Sequence, residues 1–426
     1  TFSILFIGQV FSLLGTSLTR FGVSVWAFEQ IGTATSLALL GFFSCITFVI
    51  ASPFAGVLVD RMDRRKVMLF SDLGSGIATI TMLALFLTGH LAIWHIYVAE
   101  GIAGMLEAFQ YPAWLSSTSL LVPKEQYTRI NGLVGLGRSA SRLLAPSIAS
   151  VLQTTLGLGC VMGVDLVSMT VAVGTLLFVR IPAPPLSQEG ETARGSFFQE
   201  MRFGFGYIFR NQGLTALLIN FFMVNLFATL TYFAVYTPMI LARTGGDAVV
   251  LGIVRTVMGI GGVAGGLIIT LWGGPKRKIS GYLISTGISF LVCDFLTAIS
   301  RSAVSWSISG FLSDLTIPFI VAPYYALWQV LIPPDVQGKV FSAREMVQVS
   351  SQPVGYLLGG FLADRLFEPA MQPGGVLLGI FGGLVGSGPG SGMSAMFLFT
   401  SFFGAVIGFS GLLLPSLRKL AKQIGE

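Results

Sequence analysis

The chain has 426 residues, 53% of them hydrophobic and only 10% charged, with a formal net charge of +6. Soluble domains carry nearer a quarter charged residues, so this composition excludes a soluble fold. The positive balance lies in short segments between apolar runs, which excludes a nucleic-acid surface as its explanation.

The apolar runs match the roughly 20 residues that a helical span needs. Lipid offers the backbone no partners, so spans are helices or closed barrel strands. Barrel strands alternate over about 10 residues, whereas these runs are continuously apolar. The fold class is therefore an all-α membrane protein. Twelve transmembrane helices are expected near residues 3–28, 35–59, 67–89, 92–119, 128–153, 157–180, 213–241, 248–272, 279–299, 303–331, 340–366 and 392–416. The chain opens at Thr1 directly on the first run, and no cleavable signal is evident.

With both termini cytoplasmic, the inside loops and tails collect Arg61, Arg64, Arg65, Lys66, Lys124, Arg129, Arg180, Arg194, Arg202, Arg210, Lys276, Arg277, Lys278, Lys339, Arg418, Lys419 and Lys422, against Arg243 and Arg301 outside. Positive loops face the cytoplasm, so both termini are placed inside in a multi-pass membrane protein. Between the sixth and seventh spans, Pro182–Glu200 is rich in Pro, Ser and Glu. Phe197, Phe198, Met201, Phe205 and Ile208 then recur at helical spacing among Arg202 and Arg210, which predicts an amphipathic helix on the inner membrane surface. The expected domains are an N-terminal six-helix half at 1–181, a cytoplasmic linker with this helix at 182–211, and a C-terminal six-helix half at 212–426.

The halves read as copies. Val122-Pro123-Lys-Glu125 with Arg129-Ile130 recurs 210 residues later as Ile332-Pro333-Pro-Asp335 with Lys339-Val340. The same shift carries Gly56…Lys66 onto Gly266…Lys276, where basic charge persists but Thr270 replaces Asp60 and Gly274 replaces Arg64. Six spans repeated in one orientation are the parallel-repeat pattern of a transporter whose halves flank a central site.

Cys45, Cys160 and Cys293 fall in or beside apolar segments, so no disulfide framework is expected. His90 and His95 lack further ligand-type neighbours, and no metal site is expected. The glycine-rich stretch Gly374–Gly392 lacks the Lys-Ser/Thr of a phosphate loop and is read as an outside loop.

Gly56, Asp60, Arg61, Arg64 and Arg65 between spans two and three resemble the loop motif of the major facilitator superfamily, with Asp63 where the commonest form has glycine. That variant, with Glu107-Ala-Phe-Gln-Tyr-Pro112 and Gly386-Ser-Gly-Pro-Gly390, resembles the branch of enterobactin exporters and macrolide-efflux permeases. Pro146, and Gly355 with Gly359-Gly360, stand where exporters of this superfamily carry an antiporter motif, although most of its glycines are missing from the first copy.

Charges within spans cost about 2.5–3.5 kcal/mol on insertion scales and mark cavities or partners. The resemblance implies that spans one, four, seven and ten line the cavity, which favours Arg20, Glu107 and Asp314. Glu100 shares a face with Glu107, two helical turns away. Glu107, Asp314 and Glu100 are therefore the proton-coupling candidates, with Arg20 or Arg142 expected to hold Glu107 ionised in one state. Arg138 and Arg142 project on one face of span five and, with Arg20, Arg344 and Glu345, are substrate or charge-pair candidates. Asp72, Asp165 and Asp294 are read as structural. Phe109, Phe221, Phe222, Phe227 and Tyr232 are expected to give a greasy wall to the cavity. Gly56, Asp60, Arg61, Arg64 and Arg65 form the expected cytoplasmic gate, in which Asp60 accepts from a facing helix N-terminus and the first loop dominates.

The expected activity is a secondary active transporter, a proton-coupled exporter of bulky amphipathic molecules (drug, macrolide, siderophore or peptide metabolite), and not an enzyme. It needs no cofactor beyond a proton gradient. Its partners are a small amphipathic substrate, protons and the lipid bilayer, with no nucleic acid, and it acts as a monomer. The alternatives are a lysophospholipid transporter or flippase, and a transport-inactive sensor or partner subunit.

Overall fold

A computed structural model describes residues 2–31, 34–182, 195–245 and 247–426. Of the linker expected at 182–211, residues 183–194, Arg194 among them, lie outside the described residues, as does the side chain of Met201. Among the described residues all regular structure is helical. Six long helices come first: α1 (Phe2–Ile31), α2 (Ala34–Arg61), α3 (Arg64–Leu87), α4 (Ile93–Leu121), α5 (Tyr127–Leu156) and α6 (Leu158–Phe178). The amphipathic α7 (Phe197–Arg210) follows. Then come α8 (Gln212–Thr244), α9 (Val250–Trp272), α10 (Lys278–Ile299), α11 (Ala303–Leu331), α12 (Gln337–Leu362), the short α13 (Val376–Val385), α14 (Ser391–Gly411) and α15 (Pro415–Gln423).

Nine of these helices are long and apolar enough to cross a membrane. The long helices outside that group are α4, α5 and α12, of 29, 30 and 26 residues. They have the length but not the hydropathy, because they hold Glu100 and Glu107, Arg138 and Arg142, and Lys339, Arg344 and Glu345. Polar side chains in spanning helices turn toward protein or cavity rather than lipid, so these three helices carry most of the candidate chemistry.

Two compact units are formed. One comprises Thr1–Tyr127, Gly137–Ile208 and Trp328–Met346. Within it α2 runs along α4 and α1 along α6. Small residues set the first of these contacts, since a Cβ at Gly104 would lie 2.0 Å from the Ser44 carbonyl oxygen. Val23, Met82, Ile96, Leu158 and Met162 form a core where these helices meet. The other unit comprises Thr128–Leu136, Phe209–Leu327 and Val347–Glu426. Its core gathers Tyr236, Met258, Trp306 and Phe397, and α10 packs along α14.

Helix starts follow local chemistry. Asp63, the residue that departs from the commonest loop motif, is the N-cap of α3, its carboxylate accepting the Arg65 N–H at 2.9 Å. Asn211 caps α8 through the N–H groups of Gly213 and Leu214. Two features differ from expectation. The stretch read as a glycine-rich loop contains α13, whose apolar run lies between Gly375 and Gly386. Wider turns also interrupt α8 at Thr229–Phe233 and α10 at Ser289–Asp294, and a third follows α12 at Ala363–Phe367, which the hydropathy pattern does not signal.

Buried polar groups on the peripheral helices are satisfied within each unit. Asp72 accepts from Gln9 at 2.9 Å and Gln110 at 2.7 Å. Asp165 accepts from Thr79 at 3.0 Å, and Asp294 from Thr400 at 2.6 Å. The repeat places Tyr282 where Asp72 stands, and its hydroxyl donates to Asn220 Oδ1 at 2.5 Å. Tyr282→Phe removes this buried donor and is expected to cost about 1 kcal/mol, read as a lowered thermal midpoint in detergent.

Candidate functional site

The charged loop between α2 and α3 organises a cluster of buried polar contacts in the first unit. Asp60 ends α2 with its side chain 1% exposed. Its Oδ1 accepts the Gly338 N–H at 2.8 Å and its Oδ2 the Lys339 N–H at 2.9 Å. These donors belong to the first turn of α12, which has no intrahelical acceptors and carries the positive end of the helix dipole. The carboxylate therefore caps α12 from another helix. Gly56, one turn earlier, lets α12 come close, for a Cβ there would sit 2.9 Å from the Gly338 oxygen and the Lys339 Cα.

The arginines of the loop divide the surroundings. Arg64 is buried, lies 4.0 Å from Asp60, and donates to the Ser116 carbonyl at 3.2 Å and to the Pro334 carbonyl. It thus joins α3 to the end of α4 and to the turn before α12. Arg65 donates to the Leu177 carbonyl at 2.7 Å, in the last turn of α6, where a cation is favoured. Arg61 leaves the loop for α7, gripping Glu200 with Nη2 at 2.8 Å and Nε at 3.2 Å. Glu200 also meets Lys339 Nζ at 3.2 Å. Ser119 donates to Gln337 Oε1 at 2.7 Å, and Gln337 returns to the Gln329 and Ile332 carbonyls. The first turn of α12 is thereby held by α2, α4 and α7.

The repeat-related place in the second unit is built differently. The shift carries Gly338 and Lys339 back onto Thr128 and Arg129. Thr270, at the Asp60 position, donates to its own helix at Gly266 O, 2.7 Å away. Arg129 donates to the Leu271 carbonyl at 2.9 Å. Gly274, at the Arg64 position, has φ +81° and would press a Cβ 2.3 Å from Thr128. Close steric contact is kept and the charge is lost.

The other candidates separate. Arg20 pairs with Glu100 at 3.2 Å. Arg20 or Arg142 is the expected partner of Glu107, which is exposed on α4 and near enough to act on Arg20 through space. The two-turn spacing of the glutamates could not say which of them Arg20 meets. Arg138 lies 4.8 Å over the Tyr111 ring, and Arg142 is exposed. Arg344 is fully buried, its Nη2 2.6 Å from Glu345 and its guanidinium above the Trp328 and Phe341 rings, so this pair forms between chain neighbours on α12. In the second unit Asp314 is half-buried and acts with Arg255 on Tyr236. Of the expected apolar wall, Phe221 is core, stacked on Tyr324 at 3.8 Å, and Phe109 packs on Ala51, Ala55 and Ala108.

The sequence does not single out Glu200, and it presents Lys339 as loop charge alone. The available signal was a single acid in the first turn of an otherwise basic amphipathic helix.

An all-helical fold with many helices long and apolar enough to cross a membrane, and a helix-capping carboxylate in a basic loop, points to a helical membrane transporter. The sequence pattern of the Major Facilitator Superfamily matches residues 5–356, and the chain belongs to that family. It is 27% identical over 366 residues to Macrolide efflux protein A of Streptococcus pyogenes, covering 84% of this chain and 88% of that protein. It is 22% identical to the Multidrug efflux pump Tap of Mycolicibacterium fortuitum, over 94% and 93% of the two chains. In fold it is similar to a bacterial homologue of the iron transporter ferroportin, with TM-score 0.71, 15% identity and coverage of 97% and 99%. It is also similar to the human organic anion transporter MFSD10, with TM-score 0.66, 15% identity and coverage of 94% and 98%.

Proposed function

We propose that the protein is a proton-coupled exporter of bulky amphipathic small molecules, with macrolides the first class to test. It works as a monomer in the bacterial inner membrane, with both termini and the α2–α3 loop cytoplasmic. The observation that carries a gated transport cycle is the cap that Asp60 gives α12. A helix start held by a side chain of another helix can be released whole, whereas continuous apolar packing cannot. Opening the cytoplasmic end would free the Gly338 and Lys339 N–H groups to water, and closing would return them to Asp60. The cargo class is drawn from the macrolide and multidrug efflux relatives, which align along most of the chain.

Proton coupling is assigned to Glu107, with Asp314 and Glu100 as further candidates. Glu100 already has Arg20 as an ion-pair partner, which favours Glu107 as the acid that exchanges a proton. Wild-type protein in proteoliposomes is expected to accumulate radiolabelled erythromycin under an imposed pH gradient, and Glu107→Gln to abolish that dependence while leaving downhill exchange. Gradient-driven uptake that survives Glu107→Gln removes Glu107 from the role. Absence of erythromycin movement in the wild type removes macrolides as cargo.

A further inference from the structure

We propose that the linker helix α7 is a working arm of the gate: Glu200 holds Arg61 of α2 and Lys339 of α12 together and so sets how readily the first turns of α12 leave α2. The inference rests on the gate reading above and adds to it a segment outside the loop motif.

The geometry is that of a built site. Glu200 is 4% exposed although it belongs to a surface helix. Arg61 binds it bidentately, the strongest arrangement for a guanidinium and a carboxylate. Lys339 reaches it from the residue whose backbone N–H is held by Asp60. The Gly195 N–H completes the set at 3.3 Å. One turn along α7, a Cβ on Gly204 would lie 2.3 Å from the Lys339 carbonyl oxygen. Glu200 and Gly204 thus share the face of α7 that meets α12, with Ile208 buried one turn further. Phe198, Arg202, Phe209 and Arg210 point away and are exposed. Residue 339 is therefore clasped twice, its backbone by α2 and its side chain by α7.

The charged groups facing Glu200 are Arg61 from α2 and Lys339 from α12. Burial acts to raise the Glu200 carboxyl, but Arg61, the Gly195 N–H and Lys339 outweigh it and hold the group below its usual value of 4.5. A depressed carboxylate gives its stabilisation above the unfolded value and loses it as the pH falls through the folded one. The clasp is thus fully charged at neutral pH, which separates it from the proton-carrying role given to Glu107. Glu200 is a positioning residue.

Amide hydrogen exchange on the purified full-length chain tests this without any substrate. Glu200→Gln is expected to speed exchange across the start of α12, from Gly338 to Phe341, by roughly tenfold, the low end of what loss of a hydrogen bond to a charged group implies. Glu200→Asp, which keeps the charge, should recover part of the protection, and exchange in the core of α14 should not change. Lys339→Gln leaves the Arg61 pair intact and should give a smaller change in the same place. If Glu200→Gln does not fold, Lys339→Gln decides alone. Wild-type exchange at Gly338–Phe341 in the variant measured, or equal acceleration throughout the chain, overturns the proposal. Erythromycin flux tests the exporter reading separately, so either can fail without the other.

Discussion

Asp60→Asn is expected to reduce erythromycin flux in proteoliposomes by ten- to a hundredfold, with little change in the amount of folded protein. The carboxylate accepts two backbone N–H groups, and hydrogen bonds to a charged group contribute about 1.5–3 kcal/mol each. Asparagine keeps one acceptor oxygen and turns an NH2 group toward a donor, so it loses one bond, the charge and its attraction to the α12 dipole. The expected loss of 1.4–2.8 kcal/mol corresponds to that range of rate at about 1.4 kcal/mol per factor of ten. Thr270→Val, at the repeat-related position, removes only a hydroxyl bonded to its own helix and should stay within about twofold of wild type, since such back-bonding contributes little to a helix. Equal effects of the two substitutions would refute an electrostatic gate confined to the first copy.

That asymmetry was readable in the sequence, because it depends only on which residue types occupy paired positions. So were the helical class, the long apolar segments and the surface helix, all of which follow from hydropathy and period. What could not be read is which partner each charge takes. Arg61, Glu200 and Lys339 are separated by more than a hundred residues at each step, and each alone resembles an ordinary loop or surface charge. Arg20 had two acids at equivalent spacing on α4, and only the bundle geometry selects Glu100. Phe221 is one of 35 phenylalanines; stacking on Tyr324 makes it core, and no periodicity separates that from a cavity wall. The helix at Val376–Val385 was hidden because glycines at its ends, and at Gly379, Gly382 and Gly383 within it, read as a loop in a one-dimensional scan.

Steric contact, unlike the carboxylate of Asp60, is present in both copies, and a second pair of substitutions separates the two. Gly56 faces the α12 backbone at Gly338 and Lys339, and Gly266 faces Leu136, where a Cβ would lie 2.9 Å from that residue's Cα. Gly56→Val and Gly266→Val should each wedge the packed backbones apart, at about 1–3 kcal/mol for overpacking. Both are expected to lower the thermal midpoint and to slow erythromycin flux at least tenfold. Gly56→Val should in addition raise hydrogen exchange at Gly338 and Lys339, because the wedge carries those amides away from Asp60. Gly266→Val has no such carboxylate to lose, and exchange at the start of α5 should rise far less. The four variants form a two-by-two comparison: substitution at either glycine impairs the cycle, whereas at the polar positions only Asp60 matters. If Gly266→Val is harmless while Gly56→Val is not, close packing as well as charge belongs to the first copy alone, and the second loop is a connector that takes no part in closing the gate.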